Sequence, residues 1–204
     1  MSLWAVIPMR GFTVGKSRLA GVLDDRARAA LNRRLFARTT GCAANVLGRD
    51  RVLVVSPDEA VIAAAVRLGL PALQEAPETG LNGALALARA AALQQGATAL
   101  FSLSCDLPLL AAEDVAAARD AWPGPDAILL AADDIGTGTN ALILPIAADF
   151  AYGMGPGSAA RHRHAARRGG LDVVEIGPRR PGLRFDLDTP ADLARWRSDA
   201  EAAA

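Results

Sequence analysis

Short apolar runs alternate with helix-length segments along most of this 204-residue chain. Parallel strands are joined in this way, because each parallel pair needs a crossover connection and a helix usually supplies it. The alternation therefore predicts an α/β fold with a doubly wound, mostly parallel sheet and helices on both faces. It breaks around residues 133–157, where loop-rich sequence predicts an added antiparallel strand.

The apolar runs and the segments between them also predict the order of the elements. Predicted strands cover residues 3–7, 51–55, 72–74, 98–102, 127–132, 141–144 and 171–176. Predicted helices cover residues 58–68, 80–96 and 112–122, a first helix that runs from Asp24 or Asp25 to Leu47, a basic helix after Ser158 and a last helix through Trp196.

Composition and charge exclude several classes of protein. The chain is 51% hydrophobic with a formal net charge of zero, which argues against binding along a nucleic-acid backbone. No signal-like N-terminus and no run of about 18 apolar residues occurs, so we expect one cytoplasmic domain over residues 1–204 without membrane contact. Cys42 and Cys105 lack disulfide-framework and zinc spacings and are predicted to be reduced thiols.

Separated aspartates follow two of the apolar runs. Asp106 comes after a run expected to be a central strand, and Asp186 and Asp188 come after a shorter run near the C-terminus. Ligands of α/β proteins bind where strands end, and Mg²⁺ prefers carboxylate and phosphate oxygens. If residues 186–188 form a strand, both carboxylates project from the same face. The pattern predicts a Mg²⁺ site that holds phosphates.

These aspartates also have ordinary structural interpretations. Asp106 can serve as a turn or capping residue, as aspartate often does. Thr189 can be a helix N-cap with Pro190 at the first helical position and Asp192 at the third. That capping interpretation explains Asp188 in part and Asp186 not at all.

Glycine-rich segments supply candidate anion sites. Residues 11–17 (GFTVGKS) differ from a P-loop, because that motif needs a glycine where Arg10 stands and a helix directly after it. Lys16 and Arg18 still bring positive charge to a loop with exposed N–H groups, although a mobile surface loop is the alternative. The loops 136–140 (GTGTN) and 155–158 (GPGS) suit an anion or are plain turns, and both histidines are predicted to lie at the surface.

The motifs, in their order along the chain, resemble the CofC/FbiD guanylyltransferases. The resemblance covers nearly the whole chain and is specific through the combination of its motifs, each of which is weak alone. The motifs that carry it are KSRLA (16–20), VSPD (55–58), GLN (80–82), DLPL (106–109), GTGTN (136–140), GPGS (155–158) and DLDTP (186–190). Two positions depart from the pattern, since Arg10-Gly11 replaces a common Lys-Pro pair and Cys105 replaces a residue that is often alanine.

The resemblance implies a nucleotidyltransferase of the nucleotide-diphospho-sugar transferase (Rossmann-like) fold. Such an enzyme transfers GMP from GTP to a phosphorylated three-carbon acid in coenzyme F-420 biosynthesis and releases pyrophosphate. The acid would be 2-phospho-L-lactate, phosphoenolpyruvate or 3-phospho-D-glycerate, and Mg²⁺ would be the cofactor. The implied residues are Asp106, Asp186 and Asp188 for Mg²⁺ and catalysis, Lys16 for catalysis, Thr139, Gly155 and Ser158 for the acid, and Pro8, Lys16, Arg18, Asn82 and Gly83 for GTP.

Two alternatives stay open at this stage. Another nucleotidyltransferase of the same fold would use a sugar phosphate or the molybdopterin cofactor. A non-catalytic nucleotide-binding module would bind GTP without turnover. The expected partners are GTP and a small phospho-acid, with no nucleic acid and no membrane. The oligomeric state is open as well, and a homodimer is one option.

Overall fold

Seven strands form one sheet in the computed structural model, which describes residues 2–176 and 180–202. The order of strands across the sheet is β3-β2-β1-β4-β6-β5-β7. The strands are β1 (Leu3–Pro8), β2 (Val52–Ser56), β3 (Ala72–Gln74), β4 (Ala99–Leu103), β5 (Ala127–Ala132), β6 (Thr139–Pro145) and β7 (Asp172–Glu175). Every predicted strand between residues 3 and 176 is present, with ends that differ by a few residues at most.

The sheet is parallel except at one strand. β1 pairs in parallel with β2 and β4, β2 with β3, and β5 with β7. β6 runs antiparallel to both of its neighbours, β4 and β5. The predicted antiparallel strand in the 133–157 region is therefore confirmed, and it is longer than residues 141–144. Its reversed direction brings its first residue, Thr139, to the edge where β1 to β4 end.

The connecting segments form helices that cover both faces of the sheet. They are α1 (Asp25–Leu47), α2 (Glu59–Arg67), α3 (Gly80–Gln94), α4 (Ala112–Ala121), α5 (Ser158–Arg168), α6 (Pro181–Arg184) and α7 (Pro190–Ala202). Side-chain caps set where two of them begin, since Asp24 accepts the N–H of Ala27 and Asp58 accepts that of Ala60. Within the described residues, none of these helices has the length and apolar character needed to span a bilayer.

Residues 185–188 do not form the strand that the sequence analysis considered. They follow the short helix α6, which was not predicted, and they lie outside the sheet. Phe185 and Leu187 are buried while Asp186 and Asp188 are partly exposed, and this alternation imitates a half-buried strand. The segment instead reaches the end of β4, where the N–H of Leu187 donates to the carbonyl of Asp106 over 2.9 Å.

The start of α7 confirms the capping interpretation of Thr189. One carboxylate oxygen of Asp192 accepts the N–H of Thr189 at 2.7 Å and that of Asp188 at 3.1 Å. The hydroxyl of Thr189 accepts the N–H of Asp192 at 3.3 Å, which completes a capping box. Asp188 is thus held by its backbone, and its carboxylate is left for other contacts.

Arg89 anchors the long connection that follows β6. Its guanidinium donates to the carbonyls of Ile146 at 2.8 and 2.9 Å, of Phe150 at 2.6 Å, and of Ala148. Three carbonyls of an irregular segment are satisfied by one cation in this way. The segment continues directly into residues 153–158, so Arg89 also supports the position of that loop.

Arg89→Met should lower the free energy of unfolding by about 3 kcal/mol, because partly buried carbonyls lose a charged donor. Urea denaturation followed by circular dichroism measures this change. Arg119→Met is the matched control, since Arg119 is exposed and bonds its chain neighbour Asp120, and we expect a change below about 0.5 kcal/mol. Equal effects of the two substitutions would contradict the anchoring role.

Candidate active site

A cavity of about 560 Å³ opens at the edge of the sheet where β1 to β4 end and β6 begins. Its volume falls in the range of pockets for small molecules and cofactors. Five of the residues predicted from the sequence line it, and they come from five separate segments of the chain. These residues are Pro8, Lys16, Asp106, Thr139 and Asp188.

Lys16 is a largely buried residue in the wall of this cavity. Its side chain is 4% exposed, and Nζ lies 2.6 Å from Asp106 Oδ1 and 2.9 Å from Asp188 Oδ1. Burial lowers the pKa of this ammonium, but the charges of Asp106 and Asp188 outweigh burial and leave the pKa above its usual value. Lys16 is therefore charged at neutral pH and joins the two carboxylates.

The backbone at Lys16 is strained. Its φ of 51° and ψ of 31° are left-handed, and among the described residues it is the one non-glycine with positive φ. This conformation is energetically unfavourable for a residue with a Cβ, and residues that adopt it are often found at functional sites. A short 3₁₀ turn, Ser17–Leu19, follows and α1 begins only at Asp25. The segment is therefore not a P-loop, as its spacing predicted.

Two side chains that the sequence interpretation did not assign hold the loop before Lys16. The buried amide of Asn32 donates to the carbonyl of Phe12 over 2.9 Å, and Asp58 Oδ2 accepts the N–H of Phe12 at 3.1 Å. A Cβ at Gly11 would stand 2.9 Å from Asp58 Oδ2, so any other residue at this position would displace the Asp58 carboxylate. An asparagine within an apolar helix face is the one signal in the sequence that could have identified these contacts with the backbone of Phe12.

The carboxylates around Lys16 are crowded. The side chains of Asp106 and Asp188 are 43% and 42% exposed, and Asp186 lies beside them. Burial raises the pKa of Asp186 to about 6, and the charges of Asp188, Asp133 and Asp106 add to the effect. Asp133 was not predicted to take part. The site thus holds more negative charge than the single ammonium of Lys16 balances.

The fit of this carboxylate set to Mg²⁺ can be judged from its donors. Among residues 2–176 and 180–202, no three His, Cys, Asp or Glu side chains are placed to hold a metal ion by themselves. Mg²⁺ is usually held by one or two carboxylates while substrate phosphates and water complete its shell. Hard oxygen donors with an excess of negative charge fit that mode of binding. The predicted Mg²⁺ site stays a prediction.

A second part of the cavity wall is Thr139, the first residue of β6, which side chains of α5 support. Thr139 Oγ1 lies 3.1 Å from Ser158 Oγ and 3.0 Å from Nδ1 of His162. His162 is fully buried and packs on Phe150 with 5.6 Å between ring centroids. The surface prediction was therefore wrong for His162, while His164 is exposed. Buried small residues at helical spacing, Ser158, Ala159 and Ala166, mark the face on which His162 lies.

The backbone N–H groups of the two small-residue loops are largely used inside the protein. Asp133 accepts those of Thr137 and Gly138, each at 2.7 Å. The N–H of Ser158 donates to Gly155 at 3.0 Å and that of Ala159 to Thr137 at 3.1 Å. The hydroxyl of Thr139, rather than these four amides, is the donor that this wall offers to a ligand.

The remaining predicted residues lie around the cavity without lining it. Arg18 is 72% exposed and stands 4.0 Å from Asp188. Asn82 Oδ1 accepts the N–H of Met154 at 2.7 Å, and Gly83 packs where a Cβ would meet Thr79. Gly155 is exposed, and Ser158 reaches the cavity only through Thr139.

Solved structures of nucleotidyltransferases share this fold. A nucleotidyl transferase from a Methanothermobacter species superposes with a TM-score of 0.68 at 14% identity and covers 100% of this chain and 99% of its own. CMP:2-keto-3-deoxy-manno-octonic acid synthetase, complexed with CTP, gives a TM-score of 0.63 at 15% identity and covers 100% of both chains. These likenesses confirm the nucleotide-diphospho-sugar transferase fold.

Sequence comparison identifies the family. The family model for "Guanylyl transferase CofC like" matches residues 3–195. The phosphoenolpyruvate guanylyltransferase of Rubrobacter xylanophilus is 44% identical over 96% of this chain and 93% of its own length. That of Sphaerobacter thermophilus is 41% identical over 95% and 91%. The chain therefore belongs to the family of CofC-like guanylyl transferases, as its motifs predicted.

Proposed function

We propose that this protein transfers GMP from GTP to a phosphorylated three-carbon acid and releases pyrophosphate, as a step of coenzyme F-420 biosynthesis. The observation that carries the proposal is a single cavity with two unlike walls. The Lys16 ion pairs with Asp106 and Asp188 form one wall, and the hydroxyl of Thr139, which accepts from Ser158, stands at the other. Phosphoenolpyruvate is the first acid to test because the relatives named above carry it in their names, and 2-phospho-L-lactate and 3-phospho-D-glycerate follow.

The reaction requires two polyanions to approach each other. A phosphate oxygen of the acid attacks the α-phosphorus of GTP in line, and the bond to the leaving pyrophosphate breaks. The attacking phosphate is already ionised near neutral pH, so no general base is needed. Lys16 opposes the repulsion, since its ammonium has three donors and the carboxylates of Asp106 and Asp188 take two. The third is free for a phosphate oxygen.

The proposal includes Mg²⁺, which carboxylates of the set Asp106, Asp186 and Asp188 would hold together with substrate phosphate and water. Bound there, the ion would supply neutralising charge at the reacting phosphates and at the leaving pyrophosphate. The crowded carboxylate of Asp186, whose pKa is raised by burial and by three neighbouring aspartates, supports a cation at this position.

The two substrates are assigned to different parts of the cavity wall. We place GTP against Pro8, Lys16 and Arg18, and beside the turn at Asn82 and Gly83. The phospho-acid lies against Thr139, beside Ser158 and the nearby Gly155. The cytoplasmic location, the single domain and the homodimer stay predictions.

Pyrophosphate release with GTP and each of the three acids tests this function. Wild-type protein should release pyrophosphate only when Mg²⁺, GTP and an acid are all present. Asp106→Asn and Asp188→Asn should each lower the rate by about a hundredfold or more, because a ligand and a partner of Lys16 lose charge. Asp50→Asn is the control, since Asp50 lies in an exposed turn and does not line the cavity.

Two results would oppose the proposal. Full activity in either variant would contradict the metal assignment of that residue. Calorimetric binding of GTP with no turnover of any acid would favour the non-catalytic module, and turnover with a sugar phosphate instead would favour another member of the fold.

Asp186→Asn should make the metal-free protein more stable at high pH. Folding raises the pKa of Asp186 from the usual 3.8 to about 6, so the folded state binds this proton more tightly than the unfolded state. The stabilising effect of the proton is complete below pH of about 4 and is lost as the pH rises through about 6. We therefore expect wild type and variant to differ little at pH 4 and by about 1 kcal/mol at pH 8, after allowance for partial exposure.

Urea denaturation in EDTA across this pH range measures the difference between the two proteins. Asp50→Asn is again the matched control. A difference between Asp186→Asn and wild type that does not vary with pH would contradict the crowding of charge at Asp186.

A further inference from the structure

The buried imidazole of His162 connects two segments of the chain beside the position proposed for the phospho-acid. Nε2 of His162 accepts the backbone N–H of Gly153 at 3.0 Å, and Nδ1 lies 3.0 Å from Thr139 Oγ1. His162 therefore bridges the loop before Ser158 and the first residue of β6. His162 is not among the residues predicted for catalysis or for metal binding.

The contact with Gly153 fixes the tautomer of the ring. A backbone N–H can only donate, so Nε2 must carry no proton. The remaining ring proton of a neutral imidazole then sits on Nδ1 and points at Thr139. A second proton would set Nε2–H against the N–H of Gly153. The ring is neutral and is a donor towards Thr139.

The orientation of the Thr139 hydroxyl follows from that of the ring. Its oxygen accepts one hydrogen bond from His162 Nδ1 and one from the hydroxyl of Ser158 at 3.1 Å. Both lone pairs are then used, and the hydroxyl proton of Thr139 is left to donate. Thr139 lines the cavity, so this proton is available to an anionic oxygen there.

We propose that His162 is a positioning residue that holds the hydroxyl of Thr139 as a hydrogen-bond donor to the anionic group of the phospho-acid. The inference rests on the proposed function for the identity of that acid. With the opposite tautomer, Nδ1 would accept the proton of Thr139, and the hydroxyl would turn its lone pairs to the substrate. An anion would then meet an acceptor instead of a donor.

The surroundings of the ring maintain its neutral state. Burial, together with the charge of Arg161, lowers the pKa of His162 to about 4. The ring of Phe150 packs against it, and the N–H of Gly153 opposes a second proton. Neutral pH therefore leaves the donor arrangement unchanged.

Substitution separates positioning from packing. His162→Phe keeps a flat ring against Phe150 and removes both nitrogens, so the KM for phosphoenolpyruvate should rise by about tenfold or more while the KM for GTP stays within about threefold. His162→Asn restores an N–H near the place of Nδ1 and should recover most of the loss. His164→Phe, on the exposed side of the same helix, is the control.

A double-mutant cycle tests whether His162 acts through Thr139. If it does, Thr139→Val and the double variant Thr139→Val with His162→Phe should have the same KM for phosphoenolpyruvate. The proposal would be overturned, in favour of a packing role, if the increases in KM of the two single variants multiplied in the double variant. It would also be overturned if His162→Phe raised the KM for GTP as much as the KM for phosphoenolpyruvate.

The tautomer can be measured without substrate and without any variant in the core. Long-range ¹H–¹⁵N spectra of the wild-type protein should show one histidine as a neutral Nδ1–H ring that does not titrate near pH 6.5, and His164→Asn assigns the signals. An Nε2–H tautomer or an ordinary titration at His162 would overturn the inference. Absence of turnover with all three acids would instead contradict the proposed function and leave the tautomer result standing.

Discussion

One buried ammonium group organises the end of this protein where the cavity lies. Lys16 Nζ contacts Asp106 and Asp188, and so joins the loop after β1, the end of β4 and the segment between α6 and α7. Among 22 Lys and Arg residues it is the only lysine. Its compact ammonium has three rotatable donors, so a single charge can contact two carboxylates. The left-handed backbone at Lys16 shows that the chain accepts local strain to bring this charge inside.

Most of the fold could be predicted because its signals are local. Apolar runs and caps such as Asp24 and Asp58 mark strands and helix starts within a few residues of where they occur. The capping box of Thr189 and Asp192 is equally local. Residues 185–188 look like a strand in the sequence for the same reason, since alternation of buried and exposed residues does not reveal whether a neighbouring strand is free to pair. Family motifs then identified the fold and the guanylyl transferase family.

The contacts of the site could be predicted less well because they join distant parts of the chain. Lys16 and Asp188 are 172 residues apart, and no spacing rule connects a lysine in a loop to a carboxylate beyond α6. The burial of His162 depends on Phe150 and Gly153, which precede α5. Asn32 and Asp133 act on backbone groups, which the sequence does not display. The distances between the charged groups at the edge of the sheet depend on the tertiary structure, so they could not be predicted from the sequence.

The central claim is that the Lys16 ion pairs form the reacting end of a guanylyl transfer site. The direct measurement is ³¹P NMR of wild-type protein and Lys16→Met incubated with Mg²⁺, GTP and phosphoenolpyruvate. The account predicts that wild type forms pyrophosphate and a new phosphoanhydride that joins GMP to the acid, while Lys16→Met forms neither at a comparable rate. A Lys16→Met protein that makes this product as fast as wild type would contradict it.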